Sequence, residues 1–448
     1  MHDLGIEGGV VIGPRGRRLR NIYVSGERIA EITPGLVPAK VRVAADGLLV
    51  MPGMVDMHVH LMDPAALERE DFPSGTAAAA RAGVTTIIEH THAGPVRSPA
   101  DLDAKRRYLG ERSRVDYGLA AHAWPDRLDE VGPLWAAGVM FIKVFTCTTH
   151  GVPGFDPANL LDLMRRASVS GALCLVHCED ESITAAAEAR LHAAGRRDPG
   201  VLPEWRSVEA EQVALATTAT LARSTGARVI TAHVSHVQAL DVAGPIRRAG
   251  GLIGIETCPQ YLALMEGELV REGALRKFTP PARARDAADL DAMWEALRTG
   301  RITHVATDHA PSTRGQKSEG DIWSAPFGLP GLDTTLPILL NGAAAGRVSY
   351  ERLVDAYSRM PAKLARLYPR KGRLGVGSDA DVVLVDPAAR WTVRSADLLS
   401  KAGWSPFEGR TLAGRAVATY LRGQLVADER GSLAAPGAGR WLPGPGAA

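Results

Sequence analysis

Leu49-Val50-Met51-Pro52-Gly53-Met54-Val55-Asp56-Met57-His58-Val59-His60 is an apolar run that closes on two histidines. Residues two apart on a strand point to the same side, so His58 and His60 face one point together. Seven further Val/Ile-rich runs follow, at 84–89, 117–122, 139–145, 172–177, 227–233, 252–256 and 303–307. Helix-like stretches such as 289–298 lie between some of them. That alternation is the pattern of a parallel α/β fold, and eight runs predict a closed (β/α)₈ TIM barrel. An open doubly wound sheet would alternate too, but no Gly-rich phosphate loop follows the first strand.

Outward from the barrel the pattern changes. Short β-like pieces broken by turns fill both ends: 9–12, 21–24, 28–32 and 40–44 before it, and 380–385, 391–393, 416–421 and 424–426 after it. The two flanks are expected to meet as a small β-sandwich. The expected division is 1–51 for its N-terminal part, 52–372 for the barrel, and 373–448 for its C-terminal part and a Gly/Pro/Ala-rich tail.

Composition narrows the function. A net charge of +2 on 448 residues gives no basic face for nucleic acid or a membrane surface. No apolar run reaches the roughly 18 residues of a membrane helix. Residues 1–16 lack the charged and apolar regions of a secretory signal, so a cytoplasmic protein is expected. Cys147, Cys174, Cys178 and Cys258 are too few and scattered for a disulfide framework, and Cys174 and Cys178 read as packing residues.

Catalytic groups of a TIM barrel sit at the C-terminal ends of its strands. Here those ends carry His58 and His60, Lys143 within Phe141-Ile142-Lys143-Val144-Phe145, His177, His233, and Asp308 within Ala306-Thr307-Asp308-His309-Ala310-Pro311. Each has an ordinary reading. A lone strand-end histidine is more often a satisfied polar group, His-x-His recurs by chance, and an Asp-His pair says little. A lysine inside an apolar strand, however, is costly unless neutralised. Four histidines, a lysine and an aspartate at five strand ends leave the ordinary readings little room.

These stretches resemble the cyclic amidohydrolases of the amidohydrolase superfamily: dihydroorotases, allantoinases, hydantoinases and dihydropyrimidinases. The resemblance includes Pro52-Gly53-Met54-Val55-Asp56, Gly83-Val84-Thr85-Thr86, Glu256-Thr257-Cys258-Pro259-Gln260-Tyr261-Leu262, Pro280-Pro281-Ala282-Arg283, Gly377-Ser378-Asp379-Ala380-Asp381 and Ser405-Pro406-Phe407-Glu408-Gly409, and so covers nearly the whole chain. It implies a hydrolase of carbon–nitrogen bonds in cyclic amides, with two divalent ions, usually zinc. His58, His60 and Asp308 would hold the first ion and His177 and His233 the second. Lys143, carboxylated by carbon dioxide, would bridge them as a carbamate, which converts a buried ammonium into an anionic oxygen ligand. A hydroxide on the binuclear centre would attack the ring carbonyl, with Asp308 as general base and then general acid. Such relatives are often homodimers or homotetramers. A scaffold that had lost its chemistry would lack ligands, and all six positions are present here.

The substrate positions depart from each subgroup. Dihydroorotases place an arginine two residues after the second histidine to grip a carboxylate; Met62 stands there and cannot do so. Gln260 replaces a family histidine and cannot become charged. His92, in Glu89-His90-Thr91-His92, Thr279 and His309 complete the candidate substrate contacts, while His2, His122, His150, His192, His236 and His304 read as structural or surface residues. A neutral ureide, hydantoin or imide is favoured, of allantoinase or hydantoinase type. The alternative is a dihydroorotase-like ring opener or closer, with Arg283 or His92 as a replacement cation.

Overall fold

The computed structural model describes residues 1–14 and 16–447. Eight parallel strands form the barrel: β1 (Met54–Val59), β2 (Val84–Glu89), β3 (Asp116–Leu119, resuming as Ala121–His122), β4 (Ile142–Phe145), β5 (Leu173–His177), β6 (Arg228–Thr231), β7 (Ile253–Thr257) and β8 (His304–Val305). They pair in chain order. Val59 bridges in parallel to His309, and the His60 N–H donates to the His309 carbonyl at 2.7 Å, which closes the ring. The expected barrel is thus the one observed.

Local chemistry explains these elements. Helices cover the outside and side chains fill the inside, so barrel strands bury both faces and read as unbroken apolar runs. All five residues of β5 are buried. The helices that follow have built-in starts. Asp156, Asp180 and Ser207 each cap one by accepting a bond from the backbone N–H three residues on.

The first apolar run divides at Gly53, where a single strand was expected. A Cβ at residue 53 would lie 2.0 Å from Thr85 Oγ1, so the barrel floor approaches too closely for any side chain. Met54–Val59 enters the barrel, while Leu49–Pro52 leaves it. The latter pairs in parallel with His2–Gly13 and antiparallel with Val382–Thr392. This short strand joins the N-terminal and C-terminal flanks into one nine-stranded sheet. A separate apolar cluster, including Ile6, Ile22, Val50, Val382 and Leu384, holds it together. The 391–393 piece is the end of the long strand Val382–Thr392, whose register breaks between Asp386 and Arg390.

The Gly/Pro/Ala-rich tail packs along β3. The Tyr117 N–H donates to the Arg440 carbonyl (2.9 Å), and the Leu442 N–H donates to the Tyr117 carbonyl (2.7 Å). No described helix is long and apolar enough to cross a membrane.

Candidate metal centre

The chain turns sharply where it leaves the barrel. His233 follows β6 with φ 37°, and Asp308 follows β8 with φ 48°. Met62 and His150, on neighbouring loops, have φ 60° and 56°. Left-handed backbone is unfavourable for residues with a side chain, and such strain gathers where geometry serves function. At His233 and Asp308 the turn aims a polar group into one small cavity. Its walls include His58, His60, Lys143, His177, His233, Asp308 and Thr279.

Hydrogen bonds fix how the imidazoles face. His58 Nδ1 pairs with Glu256 Oε1 at 2.7 Å, and His60 Nδ1 with the His90 carbonyl at 3.1 Å. Each contact places the proton on Nδ1 and leaves the Nε2 lone pair free. Both Nε2 atoms face Asp308 Oδ1, at 3.1 and 3.5 Å. On the other side, His177 Nε2 pairs with Glu179 Oε2 at 2.8 Å. That turns His177 Nδ1 inward, 2.9 Å from His233 Nε2. Two groups of donors therefore converge, one on each side of the cavity. This is the tautomer control that metal-binding histidines require, and the donor set fits divalent ions.

Burial drives the electrostatics. It lowers His60 and His233 well below the ordinary histidine value, helped by the cations nearby. It raises Asp308, although His58 and Lys143 pull the carboxyl back. Burial alone would raise Glu179, but Arg206, His177 and Thr279 reverse this and hold it at about 2. Glu256 is likewise held low by His58 and His304 against the effect of burial. Glu179 and Glu256 are thus anions that steady the histidines from behind.

Lys143 is the anomaly. Five lysines are buried among the described residues: Lys105, Lys143, Lys277, Lys317 and Lys371. Lys105 pairs with Glu89, Lys277 and Lys317 donate to backbone carbonyls, and Lys371 meets three aspartates. The Lys143 amine has no oxygen partner among the described residues, and it lies over the Phe145 ring, 5.0 Å from the centroid. Burial lowers it to about 8, despite Asp308 and Glu256.

The amidohydrolase family matches residues 49–426. The chain belongs to the amidohydrolase family. It is 32% identical to an L-hydantoinase of Paenarthrobacter aurescens over 99% of this chain and 98% of that one. It is 35% identical to a dihydroorotase of Halobacterium salinarum over 92% and 94% of the two chains. Among solved structures, the L-hydantoinase (dihydropyrimidinase) from Arthrobacter aurescens superposes with a TM-score of 0.95 at 31% identity, covering 99% of this chain and 100% of that one.

Not every expected contact reaches the cavity of this amidohydrolase. Thr279 lines it and donates to Glu179 Oε2 at 2.6 Å. His92 stands beside it, stacked on His150 with ring centres 4.1 Å apart. Met62 is buried under Thr91, whose hydroxyl contacts its sulfur at 3.3 Å, and Gln260 is buried on the short helix Pro259–Ala263. His309 is turned away. Its Nδ1 accepts the Gly331 and Leu332 N–H groups, and its Nε2 faces Glu70. Arg283 lines a different pocket, with Ser235 and His236.

Conversely, His150, Phe145 and Phe327 line the cavity, and His90 lies against His58 and His60, though sequence reading set none of them there. Glu256 was missed as well. It carried a signal, since a carboxylate within an apolar strand is as conspicuous as Lys143.

Proposed function

We propose that this amidohydrolase opens a neutral cyclic amide with water at a two-metal centre. The observation that carries the proposal is Lys143, the one buried lysine without an oxygen partner among the described residues, which lines one cavity with two converging pairs of imidazoles. His58, His60 and Asp308 would hold one ion, and His177 and His233 the other. Lys143, carboxylated by carbon dioxide, would serve both. Imidazole and oxygen donors suit zinc. Ions bound there would supply an activated water at neutral pH and polarise the ring carbonyl.

The chain's own residues do the rest. Glu256 and the His90 carbonyl lock the tautomers of His58 and His60. Glu179, anchored by Arg206 and Thr279, orients His177. The Asp308 carboxylate, at the mouth of β8, would take a proton from the attacking water and return it to the leaving ring nitrogen. Phe145 and Phe327 line the cavity and would present apolar walls to the ring.

The neutral ring follows from what the cavity lacks. Lys143 is its only lysine, and no arginine lines it among the described residues. A carboxylate entering the site would lose its solvation without a guanidinium to meet it. A dihydroorotase-like activity is the second reading, and the identity to the Halobacterium salinarum dihydroorotase favours it. Purified, zinc-loaded protein assayed on hydantoins, dihydrouracil, allantoin, cyclic imides and dihydroorotate decides between them. At least one neutral ring should exceed dihydroorotate in kcat/KM by a factor on the order of 10², from a difference of about 3 kcal/mol. Turnover of dihydroorotate alone would reject the neutral-ring reading, and no turnover on any ring would reject the activity.

A further inference from the structure

One imidazole beside the centre has no task in that reading. His90 follows β2, is 1% exposed, and forms hydrogen bonds with neither ring nitrogen among the described residues. Its backbone is committed. The N–H donates to the Val59 carbonyl (3.0 Å), and the carbonyl accepts from His60 Nδ1 (3.1 Å). A neutral imidazole has one donor and one acceptor, and leaving both unmet in the interior is costly. The ring is also packed in place, edge to face on Phe141 with centroids 5.1 Å apart.

The surroundings say what would satisfy it. One ligand atom from each of His58, His60 and His90 can be chosen so that all three lie within 4.8 Å of one another. Their ring centres are 5.3 Å (His58–His60), 4.6 Å (His58–His90) and 4.4 Å (His60–His90) apart. A Zn–N bond of about 2.0–2.1 Å puts the ring centres of imidazoles sharing one ion roughly 4.5–5.3 Å apart. The three ring centres therefore lie at spacings that one shared ion allows.

We infer that His90 is a third imidazole ligand of the ion held by His58 and His60. The inference rests on the two-metal reading above and adds to it a donor that the sequence resemblance did not supply. The ion on that side would have the imidazoles of His58, His60 and His90 besides Asp308 and Lys143, while the other would have those of His177 and His233 besides Lys143. The two ions are then unequal, the first held more tightly and harder to strip. An imidazole-rich face also accepts cobalt, nickel or copper readily.

The test is metal binding, read without turnover. The wild type, His90→Phe, which keeps a ring against Phe141, and His90→Asn are loaded with Zn²⁺ and titrated with a competing chelator. X-ray absorption counts imidazoles per zinc, and Co²⁺-loaded samples report coordination in the visible spectrum. His122→Phe, which removes another buried imidazole outside the trio, is the control.

The expected result is that one of two zinc ions is loosened at least tenfold in both His90 variants, on the scale of losing a metal-supporting contact. The imidazole count should fall, the cobalt spectrum should change, and His122→Phe should do none of this. Two ions bound by the wild type, with affinity, imidazole count and spectrum unchanged in both His90 variants, would overturn the inference and leave the two-metal reading standing. A wild type that binds no zinc would overturn both.

Discussion

Two lysines, Lys143 and Lys371, are each 1% exposed, and the barrel treats them in opposite ways. Lys371 lies at the floor, where the strands begin. Its amine meets Asp116 at 2.6 Å, Asp381 at 2.7 Å and Asp379 at 3.0 Å. Asp116 opens β3, while Asp379 and Asp381 lead into the flank strand Val382–Thr392, so the cluster ties the flank sheet to the barrel. Arg422 adds a further contact to Asp116. These carboxylates raise Lys371 above the ordinary lysine value against the effect of burial. Lys143, within β4, lines a cavity with imidazoles and makes no hydrogen bond or ion pair with an oxygen among the described residues, and burial lowers it. A buried charge that is fully paired clamps structure together. One that is left without a partner is a cost, retained where chemistry needs it. The two ends of this barrel thus divide stability from function.

The largest effect should come from breaking the upper site. Lys143→Met keeps the length of the side chain but cannot carry a carbamate. In the proposed centre it should remove metal and lower kcat/KM by a factor on the order of 10⁴ or more, since metal chemistry contributes several kcal/mol to the barrier. Elemental analysis should show fewer than two ions per chain, and circular dichroism should show the fold intact. Full activity would make Lys143 an ordinary core residue.

Breaking the lower site should act on folding instead. Lys371→Met leaves Asp116, Asp379 and Asp381 crowded together without their common cation. Removing one partner from a buried ionic cluster costs about 3–5 kcal/mol. Chemical denaturation should report that loss, while the remaining folded enzyme retains its metal and its KM. An unchanged denaturation midpoint would show that Arg422, Arg370 and Arg28 suffice to neutralise the aspartates.

The same contrast explains what could be read from sequence. The barrel was legible because strands buried on both faces leave unbroken apolar runs. The six polar residues of the proposed centre were legible because they interrupt or close those runs. Lys371 carried no such signal. It sits in a loop, and what makes it a clamp is the distant Asp116, which only the folded chain brings near. His90 and His150 were hidden for a related reason, since loop residues have no fixed period to say where they point. Met62 shows the reverse error. Its position after His60 suggested a substrate contact, but a left-handed backbone turns it beneath Thr91.

The smallest effect, on pH, distinguishes the two lysines by sign. Lys143 has a folded pKa of about 8, below the ordinary 10.5. Between those values the unfolded chain binds the additional proton, so stability of the metal-free protein should rise with pH across that window. Below about pH 8 the full penalty of a buried ammonium is present. Lys371 has its folded pKa above the ordinary value, so its contribution is fully present below about pH 10.5 and is lost as pH climbs past it. Lys143→Met should therefore stabilise the metal-free protein at pH 7 by about 1–3 kcal/mol. The advantage should shrink steadily from pH 8 to 10.5. Urea titrations of both metal-free proteins, in buffers freed of carbon dioxide so that the amine stays unmodified, measure it. Adding bicarbonate with zinc should reverse the order by converting the unpaired amine into a ligand. A difference between wild type and Lys143→Met that is flat across the window would mean that the folded protein never pays for a charge at residue 143, and the contrast between the two ends of the barrel would fail at its upper half.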